Sequence, residues 1–164
     1  MFLKGISGSD VAAIISIHGS REFGVQSDIN PRLDLNFDDV EVAPDHDLMA
    51  RQRALSRKRW NEVNNLVEIA PYAEDAASII KFAGNLCDQS GIVLCHCAGG
   101  MSRAPAAALI CLATWRGPGT EADCVAKIRK LRKGAVPHIG LLRFADELLN
   151  RGGSLVEAVA AGGR

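Results

Sequence analysis

The sequence predicts an α/β fold: a mainly parallel central sheet flanked by helices, with a phosphate-binding loop between a central strand and a helix. Three observations carry this expectation. Short runs rich in Ile, Val and Leu, at residues 11–17, 33–37 and 92–95, have the length and composition of strands. Segments with apolar residues at helical spacing follow them, most clearly in the second half of the chain. Between the third run and the next helical segment lies the glycine-containing stretch Cys97-Ala98-Gly99-Gly100-Met101-Ser102-Arg103. Strands followed by helices favour parallel pairing, because a crossover helix returns the chain to the same end of the sheet.

Taken in order, residues 11–17 are apolar apart from Ser16 and read as a buried strand. Leu33, Leu35 and Phe37 alternate with Asp34 and Asn36, the pattern of a second strand, and residues 38–44 read as a loop. Over 48–69, Trp60, Val63 and Val67 fall at helical spacing, and Arg51, Arg53, Arg57, Lys58 and Arg59 crowd the same stretch. Such a run is ordinarily a solvated helix face, with a docking surface for an acidic phosphorylated partner as its functional counterpart. After Pro71, residues Ile79, Ile80, Phe82, Ala83 and Leu86 mark an amphipathic helix that ends before Gly91. Residues 92–95 suit a central strand, and 105–115 an Ala- and Leu-rich helix closed by Gly117 and Pro118. Thr120 with Asp123 resembles a capping box for a helix bearing Val125, Ile128 and Leu131, stopped by Gly134 and Pro137. A last helix over 139–150 presents Leu142, Ala145 and Leu149, and Gly152 and Gly153 end it.

Composition narrows the function. With 48% hydrophobic and 23% charged residues the chain suits a globular protein rather than a disordered one, and 164 residues are about one domain's worth. A formal net charge of +0 provides no global field for nucleic acid or anionic membrane, so neither is expected as a partner. An anionic substrate must be drawn by a local site. No apolar run approaches the roughly 18 residues of a membrane span, and the first residues lack a basic-apolar-small signal pattern. Five cysteines at spacings that suggest no disulfide framework point to a reducing cytoplasm, which would also keep a reactive thiol usable.

The chemistry is concentrated in the segment from Val93 to Pro105. A strand–loop–helix connection can turn several backbone N–H groups inward as an anion cradle, and the helix adds the positive end of its dipole. Gly99 and Gly100 allow the tight loop, and Pro105 suits the first helical turn, where an N–H has no partner to lose. Cys97 stands at the start of the cradle. A free thiol has a pKa of about 8.5, and a helix N-terminus with a nearby cation lowers it, making the thiolate available as a nucleophile. Arg103, six residues on, can grip two phosphate oxygens through its planar fork, a geometry lysine lacks. Ala98, Gly99, Gly100, Met101, Ser102 and Arg103 are therefore the expected substrate-binding set.

The run His96-Cys97-Ala98-Gly99-Gly100-Met101-Ser102-Arg103, His-Cys-x5-Arg between a strand and a helix, resembles the cysteine-based protein tyrosine phosphatase superfamily. Its compact dual-specificity branch is the nearer likeness, and residues 125–149, with Arg132 and Pro137, are similar to that branch. Leu35-Asn36-Phe37-Asp38-Asp39-Val40 resembles the acid-bearing segment of small bacterial members described as predicted tyrosine phosphatases. The resemblance covers most of 33–149. It implies a single phosphatase domain over 1–164, with residues 44–71 inserted. It also implies phosphate monoester hydrolysis through a cysteinyl-phosphate, without metal or cofactor, with protein phosphotyrosine as the foremost substrate and phosphoserine or phosphothreonine as secondary ones. Cys97 would be the nucleophile, Arg103 the phosphate clamp and Asp39 the general acid, with His96 tuning the thiolate and Ser102 hydrogen-bonding within the loop. Asp38 is the rival acid, and Glu68 or Asp75 would compete if residues 66–69 formed the neighbouring strand. Ala104 departs from the pattern, since many members carry a hydroxyl there to assist thiolate departure. Slower breakdown of the intermediate is expected, with Ser102 as a partial substitute.

Two other classes compete: a pseudophosphatase that binds phosphopeptides without turnover, and a thiol-based arsenate reductase or rhodanese-like enzyme. Cys95-His96-Cys97 as a metal site is disfavoured, because strand alternation separates adjacent side chains and no second ligand pair lies at suitable spacing. Cys87, Cys111 and Cys124 read as core residues, Cys95 as a conceivable trap for oxidised Cys97, and Trp60 and Trp115 as packing residues.

Overall fold

Strands β1 (Val11–His18), β2 (Arg32–Asn36) and β3 (Ile92–His96) pair entirely in parallel, in the order β2-β1-β3. The computed structural model of the chain describes residues 10–22, 28–40 and 48–162. The helices are α1 (Leu48–Val63), α2 (Ala73–Asn85), α3 (Arg103–Arg116), α4 (Glu121–Leu131), α5 (Ile139–Leu148) and α6 (Ser154–Ala161). The expected α/β architecture, a parallel sheet flanked by helices, is thus the one observed.

Alternation along the strands divides the sheet into two chemically different faces. Ile15 and Ile17 of β1 align with Leu33 and Leu35 of β2, and Ile15 with Cys95 of β3, so this face enters the main core. The other face aligns Ser16 with Asp34 and with His96, a polar row beside the Arg32–Asp34 ion pair of 2.6 Å. Helix α3 lies on the apolar face against β1 and β3, with α2 and α5 beside it and α4 touching its outer side. Its Ala104, Ala106, Ala107 and Ala113 let neighbours approach closely, while Leu109 and Ile110 fill the interior. This central burial fixes the helix whose first residue is Arg103.

Several local expectations change. Helix α1 ends at Val63, where Asn65 takes a left-handed φ of 51°, so Val67 lies beyond it. Residues 66–69 form no strand; Asp38 N–H donates to Ile69 O at 2.7 Å, and Ser20 Oγ donates to Val67 O at 2.9 Å. Trp60 is 61% exposed rather than packed, and Trp115 is partly exposed while its indole N–H donates to Ala83 O. Cys87 is exposed, whereas Cys111 and Cys124 are buried as expected. Thr120 does not cap α4 through its side chain; its hydroxyl donates to Gly117 O at 2.9 Å. Leu131 is largely exposed. Beyond Gly153 the chain forms α6, which no sequence expectation covered; its first amides, Leu155 and Val156, donate to the Asp146 carboxylate at 3.0 and 3.1 Å. Of the expected loop 38–44, residues 41–44 fall outside the described set, as do the side chains of Arg51, Arg53 and Arg57.

Candidate active site

The parallel sheet brings the carboxyl ends of β1, β2 and β3 together, and each is followed by a segment that enters the same site. Beyond β1 come Gly19, Ser20 and Glu22; beyond β2, Phe37 to Val40; beyond β3, Cys97 to Ser102, leading into α3.

The loop after β3 is held by its carbonyls. Arg132 donates to Gly99 O at 3.3 Å and Gly100 O at 3.2 Å, Val136 N–H to Met101 O at 2.8 Å, and His138 N–H to Ser102 O at 3.3 Å. In a trans peptide the N–H points away from its carbonyl, so four carbonyls held outward leave the next four amides, Gly100 to Arg103, on the opposite side. Among the described residues none of these four amides donates to a protein acceptor. Gly100 makes the turn possible with a φ of 63°. Together with the α3 N-terminus, this is the backbone arrangement of an anion cradle.

Cys97 sits where β3 ends, partly buried against the core. Arg103 is 4% exposed, and its Nη1 donates to Phe37 O at 3.0 Å while Nη2 donates to the Glu22 carboxylate at 2.8 Å. Two of the five guanidinium N–H groups are thus committed, and Nε has no partner among the described residues. Burial works against the charge, but the Glu22 hydrogen bond, with Cys97 and Asp39 nearby, more than offsets it and holds Arg103 above its ordinary value. Reciprocally, the Arg103 hydrogen bond holds the Glu22 carboxyl below the usual carboxylate range. The other Glu22 oxygen accepts from Gly19 N–H at 2.8 Å, so Glu22 joins the end of β1 to the arginine. A Cβ at Gly19 would overlap the Asp38 carboxylate, so this crossing is built for glycine.

The two adjacent aspartates have separate structural places. Asp38 accepts from Ser20 N–H at 3.1 Å and Ile69 N–H at 2.8 Å, stapling three segments at the rim. Asp39 is half exposed and accepts from Ser102 Oγ at 2.6 Å, with His138 Nε2 at 3.9 Å. The Ser102 hydroxyl therefore engages the aspartate rather than the loop itself, and Ala104 is buried. Glu68 accepts from Asn61 at 2.6 Å, and Asp75 accepts from Tyr72 N–H at the start of α2, its carboxyl pushed up by burial.

His96 occupies the polar face of the sheet, opposite Ser16. Burial, reinforced by Arg32, pushes its imidazole below the ordinary histidine range, and its Nε2 has no partner among the described residues. Cys95 pairs with the Cys111 thiol, and that hydrogen bond together with burial pushes the Cys95 thiol well up. A thiol held protonated is a poor trap for an oxidised neighbour. Among the described residues no cluster of three or more His, Cys, Asp or Glu is placed to hold a metal ion, and no helix is long and apolar enough to cross a membrane.

Glu22 and His138 were not among the sequence candidates. Glu22 is 81 residues from Arg103 and His138 is 98 from Val40, so only the folded sheet brings them in. The one local signal was the position of Glu22 just past an apolar strand, at the end where parallel sheets place their sites.

No protein-family model matches the chain, and no curated protein matches it either. Among solved structures, the crystal structure of Tk-PTP in the active form is similar over 87% of this chain and 81% of that one, with a TM-score of 0.52 and 19% identity. The chain therefore shares the fold of that protein.

Proposed function

We propose that this chain is a metal-independent phosphatase that hydrolyses phosphate monoesters through a cysteinyl-phosphate, as one catalytic domain in which residues 44–71 are an insertion. The reading rests on one arrangement above all: four carbonyls held outward leave a row of amides facing away from their supports, next to Cys97 and beside the buried Arg103 fork. In the first step the Cys97 thiolate attacks phosphorus, the bond to the ester oxygen breaks, and Asp39 protonates the departing oxygen. In the second, Asp39 takes a proton from water, which attacks phosphorus; inorganic phosphate forms and the thiolate leaves. The amides of 98–103 and the uncommitted Arg103 N–H groups bind the three non-bridging oxygens and their developing charge. His96, on the polar face of the sheet, tunes the Cys97 thiolate from outside the loop.

Protein phosphotyrosine is the substrate class we favour, with phosphoserine and phosphothreonine also within reach, in a cytoplasmic setting and within the compact dual-specificity branch. Similarity in fold to Tk-PTP supports the general reading. Ala104 favours one alternative, a phosphopeptide-binding pseudophosphatase, because it lacks a hydroxyl to assist thiolate departure and Ser102 is engaged with Asp39. Rapid mixing with an aryl phosphate separates the two. A burst of aryl alcohol stoichiometric with enzyme, followed by slower turnover, is expected; bound phosphate without any burst would establish the binding module.

A further inference from the structure

His138 is a buried polar side chain, 1% exposed, at the junction of three parts of the site. Its backbone N–H supports the loop at Ser102 O. Its ring caps α5, with Nδ1 accepting from Leu141 N–H at 3.2 Å. Its other nitrogen, Nε2, lies 3.0 Å from Val40 O and 3.9 Å from the Asp39 carboxylate. A carbonyl only accepts and an amide N–H only donates, so both contacts are satisfied together by the tautomer with the proton on Nε2. The ring is then a rigid tie between α5 and the backbone next to Asp39. Ser102 Oγ holds the same aspartate from the loop side at 2.6 Å.

We propose that His138 is a positioning residue for proton transfer: its Nε2–H holds the Asp39–Val40 segment over the Cys97 loop, keeping the Asp39 carboxyl within reach of the leaving oxygen. This deepens the phosphatase reading and rests on Asp39 as the acid. A residue that only supports the fold would slow all substrates alike. A residue that places the acid slows mainly the substrates whose leaving group needs a proton, because a good leaving group departs as the anion.

The two bonds of the ring can be separated. Asn places a carbonyl near the position of Nδ1 and preserves the α5 cap, but does not reach Val40; Gln places an N–H near Nε2 and preserves the tie at the expense of the cap. Turnover of phenyl phosphate and of p-nitrophenyl phosphate is compared for wild type, His138→Asn, His138→Gln, Asp39→Asn and the double variant His138→Asn/Asp39→Asn. His138→Asn is expected to lower kcat about 10- to 100-fold on phenyl phosphate, less than the roughly 10²–10⁴-fold of losing a general acid outright, and only a few-fold on p-nitrophenyl phosphate. His138→Gln is expected to recover most of that selective loss even if its melting temperature is lower. The double variant is expected to match Asp39→Asn alone, because no acid remains to be placed. Equal losses on both substrates for His138→Asn, or additive losses in the double variant, would overturn the proposal while leaving Asp39 as the acid. An Asp39→Asn variant without leaving-group selectivity would instead overturn the acid assignment, and this proposal with it.

Discussion

Asp38 and Asp39 are chemically identical neighbours whose surroundings give them different tasks. Asp38 receives two backbone N–H groups, an exposed one from Ser20 and a part-buried one from Ile69. Asp38→Ala is expected to destabilise the fold by about 1–3 kcal/mol in a urea titration, mainly the cost of stranding the part-buried Ile69 donor. Asp39 is half exposed and accepts from the Ser102 hydroxyl. Asp39→Asn is expected to retain stability but lower kcat by about 10²–10⁴-fold on a substrate with a poor leaving group, and to remove the basic limb of its pH–rate profile. An unchanged bell would remove Asp39 from the mechanism. At this scale the sequence disclosed what is local. Cys97, Arg103 and the cradle lie within seven consecutive positions, whereas Glu22 and His138 meet their partners across 81 and 98 residues, where no spacing rule applies.

Elements were legible wherever period and packing agreed. Leu33, Leu35 and Phe37 alternate because β2 presents one face to the core, and α2 shows Ile79 and Ala83 at helical spacing because only one stripe is buried. Helix α3 was legible for a different reason: it is buried nearly all round, and its Ala-rich composition suits a helix that must fit among close neighbours. Leu109→Ala, at the centre of that contact, is expected to cost about 2–5 kcal/mol of unfolding free energy by chemical denaturation. Helix α6 escaped notice because it is short and follows two glycines, and its start is fixed from another helix. Both oxygens of the buried Asp146 carboxylate accept its first amides, so the cap lies nine and ten residues upstream of them. Asp146→Ala is expected to lose at least the 0.5–2 kcal/mol or so of a helix cap and to raise amide exchange first over residues 155–161. Uniform exchange across α5 and α6 in that variant would show that Asp146 does not cap α6 in particular.

The whole molecule is a scaffold that carries three strand ends to one edge, and its electrostatics set its acid limit. Glu22 has a folded pKa below its ordinary value through Arg103, and Asp34 through Arg32, so each contributes stability present above the ordinary carboxylate pKa and lost as pH falls toward the folded one. His96 has the same sign: burial depresses its pKa, so below about pH 6.5 the unfolded chain takes up a proton more readily than the folded one, and stability declines. Asp75 opposes them, since its raised pKa favours the folded state as pH falls. Asp34 is half exposed, so solvent screening leaves Glu22 and His96 as the main contributors. Melting temperature is expected to fall from pH 7 to pH 5, and His96→Asn is expected to flatten that decline; an equal slope in the variant would assign it elsewhere.

The central claim is that Cys97 is a nucleophile in a phosphate-binding loop, and hydrolysis of an aryl phosphate with chelator present, by wild type and by Cys97→Ser, tests it most directly. Turnover by wild type that is lost in the variant, with phosphate or vanadate still bound by both, is the predicted result. Equal turnover by the two proteins, or turnover that the chelator abolishes, would contradict it.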